Sequence, residues 1–510
     1  IPPGRRLLNS AVPLPVMTDS QADPGFHREV AANFVRQGRL DRAVLPFRRC
    51  VLLAPNIGAH TYRLATCLEK LSNMSGAARG TTQASARVAE WAVISQADDP
   101  GIEFLFTSTL TNSGRTSKAA ERFADKVIPA GANPDQATLL TDKLVQTNRV
   151  AEAVAFLERI RPAGWSDMLE RRYAVALWKL GRMAETVASF HRLSAAGPNE
   201  YHRLAYRGMA EACAGAYDDA DETLRRAGDE VGPDINSNYR LSLAEMIRFS
   251  PSFHERIAQE EPDADLPEVR FHGREPGLHR ACLVTVDWGY FKRFEPVFLV
   301  NARTALGFEY HLHVVNPEDK AELVAFARQA DCVVSTETVP VDGLPDWQRR
   351  STIAALRFPR ALNFLATGLY RSMAIIDADS RLTDRTAEVF DLAGPGAFGM
   401  LHNPYLMPWF EYNASLTVIH DTSPGLAFLR HAARFATYMI HHDRPRWRLD
   451  QCALFSAMHY YRNILGTPPV FENMYAWRPG RIDFFKREMD EKIVSEARAK
   501  LSGTGLSNIV

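Results

Sequence analysis

Small and apolar positions recur with a fixed period through the first half of the chain, whereas the second half alternates short β-rich apolar runs with amphipathic stretches. The segment from Asn33 to Cys50 places a turn glycine at Gly38, a small residue at Ala43 and an aromatic at Phe47, and it closes at Pro55. The small anchor returns at Ala77, Ala119, Ala153, Thr186 and Ala220, with separations of 34, 42, 34, 33 and 34 residues. A second register five residues upstream, through Gly38, Ser72, Gly114, Asn148, Gly181 and Gly215, keeps the same increments. One antiparallel helix pair cannot bury its apolar face alone, so this period predicts helix pairs stacked into a solenoid. The wider gap, around Ala84 to Asp98, predicts an insertion or an irregular repeat. The aromatic slot holds Phe47, Phe123 and Phe190 but Leu157 and Leu224.

Beyond the periodic region the pattern breaks. Prolines 233, 251, 262, 267 and 276 predict an irregular connector, with a helix around Leu241 to Phe249 capping the solenoid. From there, strands are expected at Arg280 to Asp287, Glu309 to Val315, Cys332 to Ser335 and Tyr370 to Ile376, with helical sequence at Phe294 to Leu306 and Glu318 to Ala330. Alternating strand and helix predicts a mainly parallel, three-layer α/β sheet whose ligands gather beyond the carboxyl ends of its strands. The expected divisions are an extended tail (1–24), helical repeats (25–235), a linker with a capping helix (236–278), the α/β domain (279–485) and a C-terminal helix and tail (486–510).

Composition narrows the function classes. The 510 residues imply several domains, and 60 basic against 60 acidic side chains leave no global field to attract nucleic acid or an anionic bilayer. Six scattered cysteines without a Cys-x-x-Cys pair argue against a disulfide framework or a zinc site and for reduced thiols in a cytoplasm. No apolar stretch is long enough to span a membrane, and the opening residues lack the core of a signal peptide. The expected location is cytoplasmic, with room for a peripheral place on the inner face of the membrane.

Asp-Ala-Asp occurs three times, at 219–221, 263–265 and 377–379. The first two fall in a helical repeat and an acidic linker. Only Asp377-Ala378-Asp379 follows a strand, where two carboxylates one residue apart can converge on a hard cation at the ligand edge of a sheet. Asp287, after the first strand, can accept hydrogen bonds from a base or ribose, and Tyr290 offers a ring for stacking; a loop acid and a core aromatic are the bland alternatives. Arg357 carries a planar fork suited to phosphate or sugar hydroxyls, or to a helix salt bridge. Asp450 is suited to hydrogen-bond a sugar or to cap the helix that follows it.

Two resemblances follow from these motifs. Residues 25 to 235 resemble the tetratricopeptide repeat family, with Gly38 to Pro55 and Gly181 to Pro198 the clearest copies, although the early Trp of the family is missing. Such arrays have a concave face that binds peptides or proteins, which implies a protein partner; the alternative is a scaffold that only braces its neighbour. The order Val286-Asp287-Trp288-Gly289-Tyr290, Leu356-Arg357-Phe358, Ile376-Asp377-Ala378-Asp379, Tyr412-Asn413-Ala414-Ser415 and Leu449-Asp450-Gln451 is similar to the GT-A (Rossmann-like) glycosyltransferases of the family 8 type. This resemblance implies Mn²⁺ or Mg²⁺ at Asp377 and Asp379, a UDP-sugar donor held by Thr285, Val286, Asp287, Tyr290, Arg357 and Ala378, and sugar-side roles for Asp450, Gln451 and Asn413. The late metal-binding His and the Lys-Pro-Trp segment of the family are missing, so no third ligand is assigned. Tyr475 to Arg481 supplies cations that can cover a diphosphate instead.

The chain is therefore expected to be a metal-dependent hexosyltransferase, retaining by resemblance, that moves a sugar from a UDP-sugar to a hydroxyl of a glycan or protein acceptor while the repeats recruit the acceptor or a partner. The alternative is a non-catalytic repeat adaptor with a nucleotide-sugar-binding or degenerate GT-A domain. A nucleotidyltransferase fits less well, because its Gly-rich phosphate loop is lacking. His402 to Trp409 reads as an aromatic acceptor subsite or a packed loop, His441-His442-Asp443 as part of a mobile acceptor-side loop, and His459 as structural.

Overall fold

The computed structural model describes residues 23–503 apart from 56, 73–78, 96–99, 113–114, 130, 132, 231–243, 263–266, 342, 393–397, 404–405, 444–445, 476–480 and 485–489. The expected tail up to residue 22, the positions Ala77 and Gly114, the triplet at 263–265 and the residues Tyr405, Arg444, Pro445, Trp477 and Arg478 lie outside the described residues. The chain divides into two compact units, Ile1–Ala176 and Leu177–Val510.

The first unit is built from helices α1 (Pro24–Arg36), α2 (Leu40–Leu53), α3 (Gly58–Ser72), α4 (Arg79–Ser95), α5 (Pro100–Asn112), α6 (Thr116–Arg122), α7 (Thr138–Gln146), α8 (Val150–Ile160) and most of α9 (Asp167–Lys179). From α1 to α6 each helix packs on its successor, and α7 packs on α8. The second unit opens with three more helices of the same kind, α10 (Met183–Ala196), α11 (Glu200–Cys213) and α12 (Tyr217–Asp229).

Both sequence registers have a structural cause. Ala43, Ala119, Ala153, Thr186 and Ala220 have no exposed surface, which is where two helices touch too closely for a larger side chain. Gly38, Asn148, Gly181 and Gly215 all have φ between 60° and 83°. At that conformation the chain folds back, as where the Gly181 N–H donates to Trp178 O at 3.0 Å and the Arg182 N–H to Leu177 O at 3.0 Å, satisfying carbonyls that the helix end leaves open. Irregularity appears where the spacing widened: α4 runs to 17 residues, and α6 passes into a π-turn at Phe123–Val127.

The connector differs from expectation. In place of a capping helix around Leu241 to Phe249, the described part has one 3₁₀ turn, Ala244–Met246, followed by irregular chain to α13 (Pro251–Ile257). The reason lies in Asp221, whose carboxylate accepts the Phe249 and Ser250 N–H groups at 2.6 and 3.0 Å and so replaces the bonds a helix would have made. Burial raises that carboxyl to about 6. Asp221, in the first Asp-Ala-Asp triplet, is thus a structural anchor.

The sheet comprises β1 (Arg270–Gly273), β2 (Arg280–Asp287), β3 (Glu309–Val315), β4 (Val333–Glu337), β5 (Ser372–Ile376), β7 (Phe398–His402), β8 (Tyr412–His420) and β9 (Phe471–Asn473), while β6 (Ser380–Leu382) pairs with β10 (Ile482–Phe484). Its helices are α14 (Trp288–Thr304), α15 (Lys320–Ala330), α16 (Asp346–Ala355), α17 (Arg357–Ala366), α18 (Glu388–Leu392), α19 (Pro408–Glu411), α20 (Ser423–His442), α21 (Leu449–His459) and α22 (Asp490–Gly503). Among the described residues the strand order is β1-β4-β3-β2-β5-β8-β7-β9.

The expected parallel pairings of β2 with β3, β3 with β4 and β2 with β5 form, but the sheet is mixed. β8 runs antiparallel to both β5 and β7, and β1 runs antiparallel to β4. Helices α14, α15 and α22 cover one face, where Cys282, Val284 and Val286 meet Phe291, Phe294 and Phe298 in an apolar core. Helices α16, α17, α20 and α21 cover the other.

Candidate functional site

From the edge strand β1 the chain crosses to β2, lays β3 and β4 between the two, and then returns past β2 to place β5 on its other side. The β2/β5 seam is therefore the point where strand order reverses, and the crevice beyond its carboxyl ends is where an open α/β sheet takes ligands. Asp287 ends β2 and Asp377 directly follows β5. In the parallel register Val284 lies beside Ile376, so Thr285 and Asp377 share the face covered by α16 and α17.

Arg357, at the first position of α17, occupies the centre of this edge. Its side chain is buried, and its guanidinium donates to Asp377 Oδ1 at 2.7 Å, to Ala354 O at 2.8 Å and to Ala414 O at 3.3 Å, with Asp450 Oδ2 at 3.3 Å. Burial opposes its charge, yet the charges of Asp450, Asp377 and Asp379 outweigh burial and hold the guanidinium pKa above its usual value. Burial also pushes the Asp450 carboxyl above the usual range, against the pull of Arg357, and the charge of Asp377 adds to the rise. Two carboxylates thus flank the guanidinium, and the charge of Asp379 acts on it as well. The sequence offered Arg357 either donor oxygens or a salt bridge; the structure pairs it with the acids Asp377 and Asp450.

The remaining expected residues occupy mixed positions. Asp287 caps α14 by accepting the Tyr290 N–H at 2.6 Å, so its carboxylate serves the helix first. Tyr290 stacks on Phe294 with ring centres 5.6 Å apart and packs partly buried on the core. Val286 points into the apolar core on the opposite face, which leaves only its backbone for a ligand. Ala378 also packs against that core. Thr285 has a buried hydroxyl without a hydrogen-bond partner among the described residues. Asn413 accepts the Ser415 N–H at 2.8 Å, and its neighbour Ala414 supplies the carbonyl to Arg357. Asp450 lies in the first turn of α21, whose cap is Arg448 in the left-handed region at φ 72°, and accepts the Gln451 N–H at 2.9 Å.

The fit of a divalent cation depends on this donor set. Among the described residues no three His, Cys, Asp or Glu side chains form a ready metal cluster. Asp377 retains 31% of its side-chain exposure, and Asp379 is half-buried two residues on. Two partly exposed carboxylates fit a hard cation that takes its other ligands from phosphate oxygens and water, and do not fit a closed all-protein site.

Other expected features are committed elsewhere. Arg481 pairs with Glu388 at 2.7 Å, so it does not lie free to cover a diphosphate. Asp443 is bonded by Arg248 at 2.6 Å and Arg446 is buried against Glu245 at 2.8 Å, which anchors both described flanks of the segment expected to be a mobile loop. Trp409 is fully buried and His402 stacks on Tyr412, so the aromatic segment is packed. His459 is structural: it bonds Phe249 O at 3.0 Å, and burial lowers its pKa to about 4.

No protein-family model matches the chain, and no curated protein matches it. Among solved structures, a tetratricopeptide repeat protein from Parabacteroides merdae is 16% identical, with 44% of this chain matched to 88% of that one at a TM-score of 0.31. YrrB, described as a TPR protein with an unusual peptide-binding site, is 15% identical over 38% of this chain and 96% of its own, with a TM-score of 0.28. The pilF protein of Pseudomonas aeruginosa is 13% identical over 47% of this chain and 100% of its own, also at 0.28. The helical-repeat architecture of this chain stands on its own buried anchors and left-handed turns.

Proposed function

We propose that the sheet domain is a metal-dependent glycosyltransferase of the GT-A kind, which moves a hexose from a UDP-sugar to a hydroxyl of a glycan or protein acceptor in the cytoplasm, and that the helical repeats recruit the acceptor or a partner. The observation that carries this reading is the pairing of Asp377 and Asp450 with Arg357 at the β2/β5 switch point, with the partly exposed Asp379 two residues beyond Asp377. Asp377 and Asp379 are the residues that would hold Mn²⁺ or Mg²⁺, which supplies positive charge against a departing diphosphate. Arg357 gives a fixed positive charge beside the same phosphates. Asp450, buried and paired with Arg357, would orient the hydroxyls of the transferred sugar. In the transfer the bond from anomeric carbon to diphosphate oxygen breaks with its electron pair on UDP, the acceptor oxygen bonds that carbon, and the acceptor proton passes to the departing diphosphate.

A second reading has its own support. The Arg357 bridge satisfies Asp377 and Asp450 within the protein, as in a repeat adaptor whose sheet domain binds a nucleotide sugar or nothing. Calorimetric titration of UDP with and without Mn²⁺ separates the two, followed by UDP release from UDP-sugars. Metal-dependent binding that Asp379→Ala abolishes supports the transferase. Binding that ignores both the metal and Asp379 would sink it.

A further inference from the structure

Two ion pairs, one from the repeat helix α9 and one from the 3₁₀ turn Ala244–Met246 that packs on α12, reach the segments that build the candidate site. Lys179, the final residue of α9, donates to Glu411 Oε1 at 2.6 Å, and Glu411 is almost wholly buried. Burial alone would raise the Glu411 carboxyl, but Lys179 and His402, whose Nε2 lies 2.9 Å from the same oxygen, hold it at about 2. Glu411 ends α19, and the next three residues are Tyr412, Asn413 and Ala414, the last of which accepts from Arg357. Ser415 O in turn accepts the Asp377 N–H at 3.3 Å.

The second pair lies below α21. Glu245 accepts the Tyr201 hydroxyl of α11 at 2.8 Å, and its Oε1 lies 2.8 Å from Arg446 Nε as a buried ion pair without an aligned hydrogen bond. Arg446 Nη2 donates to Gly228 O of α12 at 3.2 Å. Arg446 O then accepts the Leu449 N–H, and Asp450 follows. A charge buried against one partner has a single low-energy place, since moving it strands the other charge in a low-dielectric setting. Ala414 and Asp450, two of the four groups that Arg357 meets, therefore lie three and four residues beyond a buried ion pair, at Glu411 and at Arg446.

We infer that the repeat helix α9 and the 3₁₀ turn packed on the last repeat are part of the site itself, with Lys179 and Glu245 as positioning residues: Lys179 fixes β8 at Asn413 and Ala414 through Glu411, and Glu245 fixes Asp450 through Arg446. This deepens the transferase reading and rests on it for the link to donor binding, while the mechanical link can be read without any ligand. The variants are Lys179→Met, Lys179→Met with Glu411→Gln, which removes both charges, and Lys179→Arg, which keeps the cation. Amide hydrogen exchange of the ligand-free full chain reads residues 412–415 and 446–451, and calorimetry reads UDP with Mn²⁺.

In Lys179→Met, exchange at 412–415 is expected to quicken about tenfold while α14 and β3 keep their rates, and the affinity for UDP falls about tenfold. Lys179→Arg restores both. In the double variant the stability returns but the affinity does not. Wild-type exchange at 412–415 in Lys179→Met, or a quickening spread evenly over the sheet, would overturn the inference. Failure of the wild-type chain to bind UDP overturns the transferase reading instead, and the exchange rates then decide the clamp by themselves.

Discussion

Replacing Arg357 by Met removes the guanidinium that bonds Asp377 and pairs with Asp450, and leaves the charges of Asp377, Asp379 and Asp450 without it. Removing one partner of a buried ion pair costs about 3–5 kcal/mol. Here the loss is smaller on one side, because Asp377 keeps 31% exposure and can hydrate, and it is limited on the other, because Asp450 can take up a proton. The expected loss near pH 7.5 is about 2–4 kcal/mol. The sign with pH follows from Asp450. Its folded pKa stands above the unfolded value, so the folded state holds the proton more tightly and stability falls as pH rises through that interval. Without Arg357 the interval extends upward, so the deficit of the variant is larger at pH 7.5 than at pH 5.5. A cation that the acids can hold then replaces the lost charge, and Mn²⁺ at 100 times its Kd restores about 2.7 kcal/mol. Differential scanning calorimetry at both pH values, with and without Mn²⁺, measures all of this. A deficit independent of pH and indifferent to Mn²⁺ would refute a shared electrostatic site at these three acids.

Other outcomes are equally specific. His254, His431 and His459 form a buried cluster in which His254 Nδ1 lies 3.0 Å from His431 Nε2, and burial lowers the pKa of His431 to about 3. A histidine held neutral in the fold supports stability above its unfolded pKa and loses that support as pH falls. His431→Phe, which keeps the stack on Tyr460, should therefore remove about 1 kcal/mol of the stability change between pH 6.5 and 5.5, as read by urea unfolding at the two pH values. Gly208→Ala should destabilise the α11/α12 pair by about 1–2 kcal/mol despite the helix propensity of Ala, because the new Cβ would meet Leu224 Cγ at 2.6 Å; a raised melting temperature would contradict that packing.

What the chain could state by itself was whatever is encoded locally. A turn that needs φ above zero and a contact that admits only a small side chain each leave one residue per repeat, and so Gly38, Ala43 and their successors were legible at a distance. The same holds for β3, whose bounds coincide with the apolar run from Glu309 to Val315, and for the acids that end or follow strands.

Pairings across large separations left no such mark. β8 carries the same apolar alternation in either direction, so its antiparallel place between β5 and β7 was not readable from periodicity. Arg357 could be read as a ligand for phosphate or as half of a salt bridge, because a charge in isolation advertises its chemistry and not its neighbour. Only the fold brings Asp377 and Asp450 to it from 20 and 93 positions away. Glu245, Glu411 and Arg446 were silent for the same reason: charged residues are ordinarily solvated, and their burial depends on a partner that another part of the chain delivers. Periodicity thus determined the elements, and tertiary structure decided which charges meet, because the energy of a buried ion pair resides in a distance that no local sequence contains.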